Sequence, residues 1–441
     1  MARQREGTAA LLAAEARFAA YLDGLVSGLG HVGRARAAQA YCTGLLLPGE
    51  RKSIEPMAAR LEPARVQAKH QSMHHVVAKA AWDDAAVLAA VRRHVLPAIE
   101  RLGPIAYWII DDTGFPKKGR HSVGVARQYC GQLGKQDNCQ VAVSLSVAND
   151  HASLPIAYRL YLPPGWAEDA ARRTAAGIPD AIGFATKTAI ALGQIRQALA
   201  DGVPRGIVLA DLAYGHETAF RARVDELGLW YVLGVQSSTT VWPPGMAPRP
   251  PRPTAQPRRG RPQTRLQRAP GEQPVSLKDL ALSLPKRAWR SVTWRAGSQG
   301  ALSSRFAARR IRPAHRDSAR SQPWPEEWLL IEWPKGKAEP TQYWLSNLPP
   351  ATPLRRLVRV TKARWVIERD YQDLKQEIGL GHYEGRGWRG FHHHASLSIA
   401  AYGFLIAERC LFPPQQRFRR ARIEVTALPR DFRPRGAAHP A

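Results

Sequence analysis

Three positions in this 441-residue chain place a carboxylate where it could do chemistry. Asp111, with Asp112 beside it, closes the apolar run IAYWII, and Asp211 closes IVLA. An acid at the end of a buried strand projects into the crevice beside a sheet, where ligands of α/β folds bind. The other reading of each is a turn or helix-capping aspartate. The third position lies in RWVIERDYQDLKQEIGL, residues 364–380, which holds four acids: Glu368, Asp370, Asp373 and Glu377.

Helical geometry sorts those four. At about 100° per residue, Ile367, Tyr371, Leu374 and Ile378 fall within ~60° of one another and form a core stripe. Arg364, Glu368 and Lys375 form a second stripe at its border, while Asp370, Asp373 and Glu377 are expected to face solvent. Glu368 is then the one acid of this helix held against the protein body. The competing reading is a helix ion pair, since Arg and Glu four residues apart stabilise each other.

Three carboxylates in one crevice repel unless a cation holds them, and an all-oxygen set favours Mg²⁺ or Mn²⁺ over zinc. Two such ions can activate a water or a 3′-hydroxyl and steady the leaving oxygen in attack on a phosphodiester. The basic residues beside Glu368 are then phosphate contacts. Lys117, Lys118 and Arg120, just after the first aspartates, are either a solvated loop or further phosphate contacts.

The balance of charge agrees. There are 64 Lys+Arg against 36 Asp+Glu, a net charge of +28 spread along the chain, and such a field attracts polyanions, above all nucleic acid. No window reaches the roughly 18 charge-free apolar residues of a membrane span, and the N-terminus lacks a signal peptide's apolar core. A cytoplasmic protein without membrane contact is expected. Cys42, Cys130, Cys139 and Cys410 form no CxxC pair, which suggests reduced, part-buried thiols and not a zinc module or disulfide framework.

Residues 1–100 are helical in period with basic interruptions, Arg34, Arg36, Arg51, Lys52, Arg60, Arg65 and Lys69, and suggest a basic DNA-binding domain. Residues 101–236 mix strands with helices, as a mixed sheet with helices on it requires. The stretch from Trp242 to Val275 is too rich in Pro and Arg to bury a core and reads as a mobile loop. It opens a block, 237–352, whose later runs RSVTWRA, SSRFAARRIRP, EEWLLIEWP and QYWLSNLP are strands. Helical period resumes over 353–412, continuous from Pro353 through Gly379, and 413–441 form a basic tail.

Three further features have blander readings. GLGHVG, Gly28–Gly33, matches GxGxxG but follows a helical pattern, so it is read as a loop between helices and not a nucleotide site. His392, His393 and His394 point three ways on a helix and cannot share one ion; phosphate or solvent contacts are expected of them. Trp289, Trp294, Trp328, Trp333 and Trp344 could stack on unpaired bases, but strand-core packing is the expectation.

Taken together, YWIIDDTGFPKKGRHSVGVARQYCGQLGKQDNCQVAVSLS, VLADLAYG, QYWLSNLP and RWVIERDYQDLKQEIGLGHYEGRGW resemble the DDE transposases of bacterial insertion sequences. The resemblance runs from about Ala35 to Phe412. It is to the group whose last acid lies in a Tyr-x-x-Arg-x-x-x-Glu-x-x-x-x-x-x-Lys signature. It implies an α/β, RNase H-like mixed sheet with flanking helices, interrupted by a β-rich insertion, after an N-terminal helical domain. By the same likeness Asp111 is the first acid, because the family strand reads Asp-x-Thr/Ser and Thr113 follows; Asp112 is the alternative. Asp211 is then the second acid, Glu368 the third, Arg364 the signature arginine and Lys375 the lysine. Thr361 stands where the tyrosine is expected. The implied reaction is cut-and-paste transposition on double-stranded DNA with two Mg²⁺ or Mn²⁺ ions, by a homodimer on DNA associated with the nucleoid. A non-catalytic DNA-binding protein and a structure-selective endonuclease are the other readings.

Overall fold

A computed structural model describes residues 2–26, 29–251, 264–269, 271–297 and 300–413. The chain divides into two compact units, Met1–Arg205 with Val366–Ala441, and Gly206–Trp365.

In the first unit the N-terminal part is helical, as its period predicts, with helices Ala2–Val26, Val32–Leu46, Ile54–Leu61, Val66–His74 and Asp84–Glu100. Of GLGHVG, residues 29–31 lie between the first two helices, Val32 and Gly33 open the second, and residue 28 lies outside the described residues. Lys52, one of the basic interruptions expected to serve DNA binding, is instead buried, and its Nζ donates to Leu45 O at 2.8 Å and also to Leu47 O. The lysine satisfies the otherwise unbonded carbonyls at a helix C-terminus.

The same unit holds four strands: β1 (Tyr107–Pro116), β2 (Ala126–Cys130), β3 (Lys135–Ala148) and β4 (Ser153–Leu160). β3 is antiparallel to β1 along one side and to β2 and then β4 along the other. The long β3 explains one departure from expectation. Asp111 and Asp112 do not end their strand, because pairing continues from Asp111↔Ser144 to Pro116↔Cys139, so the acids sit in mid-strand. Across this sheet lies the helix Trp388–Leu411, nearly all of it buried.

That burial overturns the expectation for the histidines. His392 Nδ1–H donates to Trp388 O at 2.9 Å and its Nε2 accepts from the Leu160 amide at 3.2 Å. His394 Nε2–H donates to Leu380 O at 3.2 Å and its Nδ1 accepts from Tyr41 OH at 2.7 Å. His393 lies against Val77 O and Trp82 O and stacks on the Trp82 ring at 3.5 Å. The three do point three ways, yet toward three packed neighbours, and none is a phosphate or solvent contact. Their polar atoms are tolerated inside because each finds a partner.

The second unit contains β5 (Ile207–Ala210), β6 (Tyr231–Val235), β7 (Thr240–Trp242), β8 (Val275–Ser276), β9 (Arg290–Gly297), β10 (Gly300–Pro313), β11 (Glu327–Trp333) and β12 (Gln342–Ser346). β5 and β6 are parallel, and β6, β12, β11 and β10 follow as antiparallel neighbours, with β9 and β7 both on β10. The architecture is mixed α/β with a β-rich block between Asp211 and Glu368, as expected. Leu329, Ile331, Tyr343 and Leu345 point to one face of that block, where they pack with Leu277 and Leu280. The opposite face carries Trp344, Phe306 and Trp294 around Lys362 Nζ, which donates to Glu332 Oε2 at 2.7 Å.

The insertion tryptophans are half-buried and are used in packing. Trp289 meets Trp333 edge-on, Arg310 lies over Trp328 and Arg305 over Trp333. Of the stretch read as a mobile loop, residues 252–263 and 270 lie outside the described residues. On either side of that segment Trp242 is fully buried and the backbones of Arg249 and Gln267 bridge. The expected basic tail falls, from residue 414 on, outside the described residues as well.

Candidate active site

Successive residues of a strand face opposite ways, so β1 separates its two acids. Asp111 faces the helix that carries Glu368: its charge reaches the Tyr371 hydroxyl and the Lys375 ammonium. Asp112 is instead ion-paired with Lys187, the first residue of the helix Lys187–Ala200. Thr113, two residues beyond Asp111, is buried.

The helix bearing Glu368 is seated on the sheet by three groups. Tyr371 is buried beside Ser144 and Ser146 of β3, and burial, followed by the nearby Asp111 charge, pushes its hydroxyl well above the ordinary value. Lys375 Nζ donates to Gly114 O on β1 at 2.9 Å and to Gln132 Oε1 at 3.4 Å. Burial lowers the Lys375 pKa, while the charges of Cys130 and Asp111 oppose that shift.

The third group corrects the helical wheel. Asp370, expected in solvent, is 4% exposed and accepts from Ser153 Oγ at 2.6 Å and Tyr402 OH at 2.8 Å. Burial raises its pKa to about 6 against the pull of those two hydrogen bonds. Glu368, expected against the protein body, is exposed. The wheel failed because it allowed one buried face. Here the sheet covers one side of the helix and the apolar Trp388–Leu411 helix covers another, so Asp370 is enclosed. A clue was present in the sequence, for a helix hydrophobic all round demands cover all round.

The continuous helix expected from Pro353 through Gly379 is also interrupted. It comprises Leu354–Lys362, a 3₁₀ turn Ala363–Trp365 holding Arg364, the helix Val366–Asp373 and a π turn Leu374–Ile378 holding Lys375. Bulges of the π type are frequent at functional sites. A stripe drawn at a constant 100° therefore does not connect Arg364, Glu368 and Lys375. Thr361 is buried and its hydroxyl donates to Leu357 O at 2.7 Å within its own helix, so it makes no phosphate contact. Lys117 Nζ donates to Tyr383 O at 3.0 Å, an internal tie and not a loop contact with solvent or phosphate. Lys118 and Arg120 are exposed.

In the second unit Asp211 follows β5 and caps the short helix Leu212–Gly215, its Oδ1 accepting from the Ala213 amide at 2.9 Å. The turn is held tightly. A Cβ on Gly215 would stand 2.0 Å from Gly234 O, so only glycine lets the turn rest on β6. Arg221, fully buried, donates from Nη1 to Gly215 O at 2.5 Å and lies 3.9 Å from Glu327 of β11. Neither Arg221 nor Glu327 was singled out in the sequence, where an Arg on a charged helix looks like any solvated one.

Among the described residues no group of three or more His, Cys, Asp or Glu is gathered closely enough to hold a metal ion. By type, the donor set does suit a hard divalent cation: Asp111, Asp211 and Glu368 supply only carboxylate oxygens, and all three are partly or fully open to solvent.

An α/β fold with one acid in mid-strand, one at a strand-end turn and one on a helix seated on a sheet defines a class, and residues 24–301 match the family described as DDE superfamily endonuclease. The chain belongs to that family. The match includes Asp111 and Asp211 and stops before Glu368. The chain is also 33% identical, over 172 residues, to the probable transposase for insertion sequence element IS701 of Microchaete diplosiphon. That similarity covers 39% of this chain and 42% of the relative, so the chain spans less than half the length of the curated relative it matches.

Proposed function

We propose that this chain is a DNA transposase that cuts at the ends of a mobile element and joins the freed ends to target DNA. The observation that carries the reading is the seating of the Glu368 helix on β1, the strand of Asp111, where Lys375 Nζ donates to Gly114 O at 2.9 Å. Family membership and the transposase relative point the same way.

In this reading Asp111, Asp211 and Glu368 are the catalytic acids and hold two Mg²⁺ or Mn²⁺ ions. The pairing of Asp112 with Lys187 supports Asp111 as the first acid. When bound, such ions neutralise phosphate charge and activate an oxygen nucleophile. In the first step a water oxygen attacks phosphorus and the P–O3′ bond breaks, leaving a 3′-hydroxyl on the element. In the second that hydroxyl oxygen attacks a target phosphorus, and the target's own 3′ oxygen leaves. Lys375 holds β1 and the Glu368 helix in register, while Arg364, Lys118 and Arg120 hold phosphates. Arg36 and Arg65, exposed on helical turns of residues 1–100, and Arg51, exposed in the loop before Ile54–Leu61, recognise the element ends, and the net charge of +28 supports binding of double-stranded DNA. Joining two ends calls for a homodimer on DNA, acting in the cytoplasm at the nucleoid.

The test is cleavage of a plasmid carrying the DNA that flanks the coding region, with Mg²⁺ or Mn²⁺. Nicking and joining are expected of the unaltered protein, with loss of both in Asp111→Ala, Asp211→Ala and Glu368→Ala and retention in Asp112→Ala. Cleavage undiminished by Asp211→Ala would overturn the assignment. Nicking without joining would leave an endonuclease, and binding without cleavage a DNA-binding protein.

A further inference from the structure

Beside the end of β1 and Lys375, the β2–β3 hairpin exposes two large apolar groups. Side chains alternate along β2, so Arg127 and Tyr129 are exposed while Cys130 turns inward. Tyr129 is 60% exposed, and Leu133, in the turn between the strands, is 42% exposed. Isolated apolar residues on a surface need no function. These two differ in where the hairpin puts them.

The tip is curled onto the sheet and fixed there. Cys130 lies so close to Gly114 that a Cβ on that glycine would meet Cys130 Sγ at 2.9 Å and Cα at 3.4 Å. Gln132, next to Leu133, accepts from Lys375 Nζ at 3.4 Å, and Lys375 feels the charge of Asp111. The exposed ring is therefore carried by a hairpin anchored on the strand that bears Asp111 and on the Glu368 helix.

The charges around it are those of an anion site. Arg127 on the same face of the hairpin, with Lys118 and Arg120 just beyond the end of β1, are exposed, while Asp137, on the opposite face of the hairpin, is already ion-paired with Lys135. Cations for phosphates, interleaved with an aromatic ring for a base, are what a single strand of nucleic acid requires. A base inside a duplex has both faces covered, so an aromatic ring can stack only on an unpaired one.

We propose that Tyr129 stacks on an unpaired nucleobase of the DNA strand whose phosphate lies at the carboxylates, with Leu133 packed against the same distorted segment. The inference rests on the transposase reading and adds to it a contact that recognises DNA opened at the point of cutting. Tyr129 is far enough from the acids in sequence, and exposed enough, that its replacement leaves the fold intact.

The experiment measures binding of the full chain, by fluorescence anisotropy, to a labelled oligo(dT) and to a blunt duplex of the same length. Tyr129→Ala is expected to weaken oligo(dT) binding roughly tenfold, in line with the value of one base–aromatic stack. Duplex binding should stay within about twofold, and Tyr129→Trp should restore the single-strand affinity. Unchanged oligo(dT) affinity, or an equal loss on both DNAs, would overturn the proposal. Failure of the unaltered protein to bind either DNA would instead remove the transposase reading, and this one with it.

Discussion

Lys375 Nζ reaches across from the π turn of the Glu368 helix to donate a 2.9 Å hydrogen bond to Gly114 O, three residues beyond Asp111 on β1. The bond fixes the distance between a helix and a strand that are remote in sequence. A charged donor to a buried carbonyl contributes about 1.5–3 kcal/mol, and here its geometric effect outweighs its contribution to stability.

Lys375→Met should therefore lower the unfolding free energy by about 1–3 kcal/mol and cut DNA cleavage far more steeply than DNA binding. Urea unfolding and a cleavage assay alongside anisotropy check this. A variant that loses binding and cleavage in equal measure would count against a positioning role.

Asp370→Ala leaves the Ser153 and Tyr402 hydroxyls without their shared acceptor inside the protein. A loss of roughly 2–4 kcal/mol is expected, with a smaller loss for Asp370→Asn, whose amide oxygen still accepts one bond. Denaturant titration distinguishes the two variants. Equal stability of Asp370→Ala and the parent would mean that the carboxylate is not enclosed.

Gly215→Ala forces a methyl group into Gly234 O, and backbone cannot step aside as a flexible side chain can. The expected outcome is a cost of several kcal/mol, or about 1–3 if the turn shifts outward, with loss of cleavage because Asp211 opens that turn. Gly165→Ala, at a position where nothing lies within 4 Å, is the control and should be nearly neutral. The melting temperatures of the two variants give the comparison.

Burial lowers the pKa of both His392 and His394 to about 4, from an unfolded value near 6.5. Both rings are neutral in either state above pH 6.5, so their contribution is then complete. As pH falls toward 4 the unfolded chain takes up two protons that the folded rings refuse, a loss of at most about 2.7 kcal/mol per pH unit, which Asp370, protonated near pH 6 in the folded chain, offsets by up to about 1.4. Measured unfolding free energies between pH 7 and 4 should show the net fall, and His394→Gln should make the slope less steep by up to about 1.4 kcal/mol per pH unit. A pH-independent parent would contradict the buried, neutral rings.

The elements were readable in the sequence because each is governed by near neighbours. Alternation gave β10, β11 and β12 as separate strands, and the apolar run before Asp211 gave β5. Gly202 ends the preceding helix where its left-handed φ of 70° requires a residue without a side chain. The place of Asp211, directly after IVLA at the close of β5, was legible for the same reason, whereas Asp111, after an equally apolar run, lies in mid-strand.

What failed to be legible depended on partners distant in the chain. The strand bearing Asp111 extends to Pro116 because β3 is long enough to pair with it. Asp370 rather than Glu368 is the enclosed acid, because a second helix closes over a face that the wheel left to solvent. The three histidines could be seen to diverge, but that each would end at a protein partner follows from Leu160, Trp82 and Tyr41 arriving there. Sequence fixes hydrogen-bonding capacity and local period. Which polar group loses its water is decided by packing, since burial belongs to the surfaces that meet and not to the residue alone.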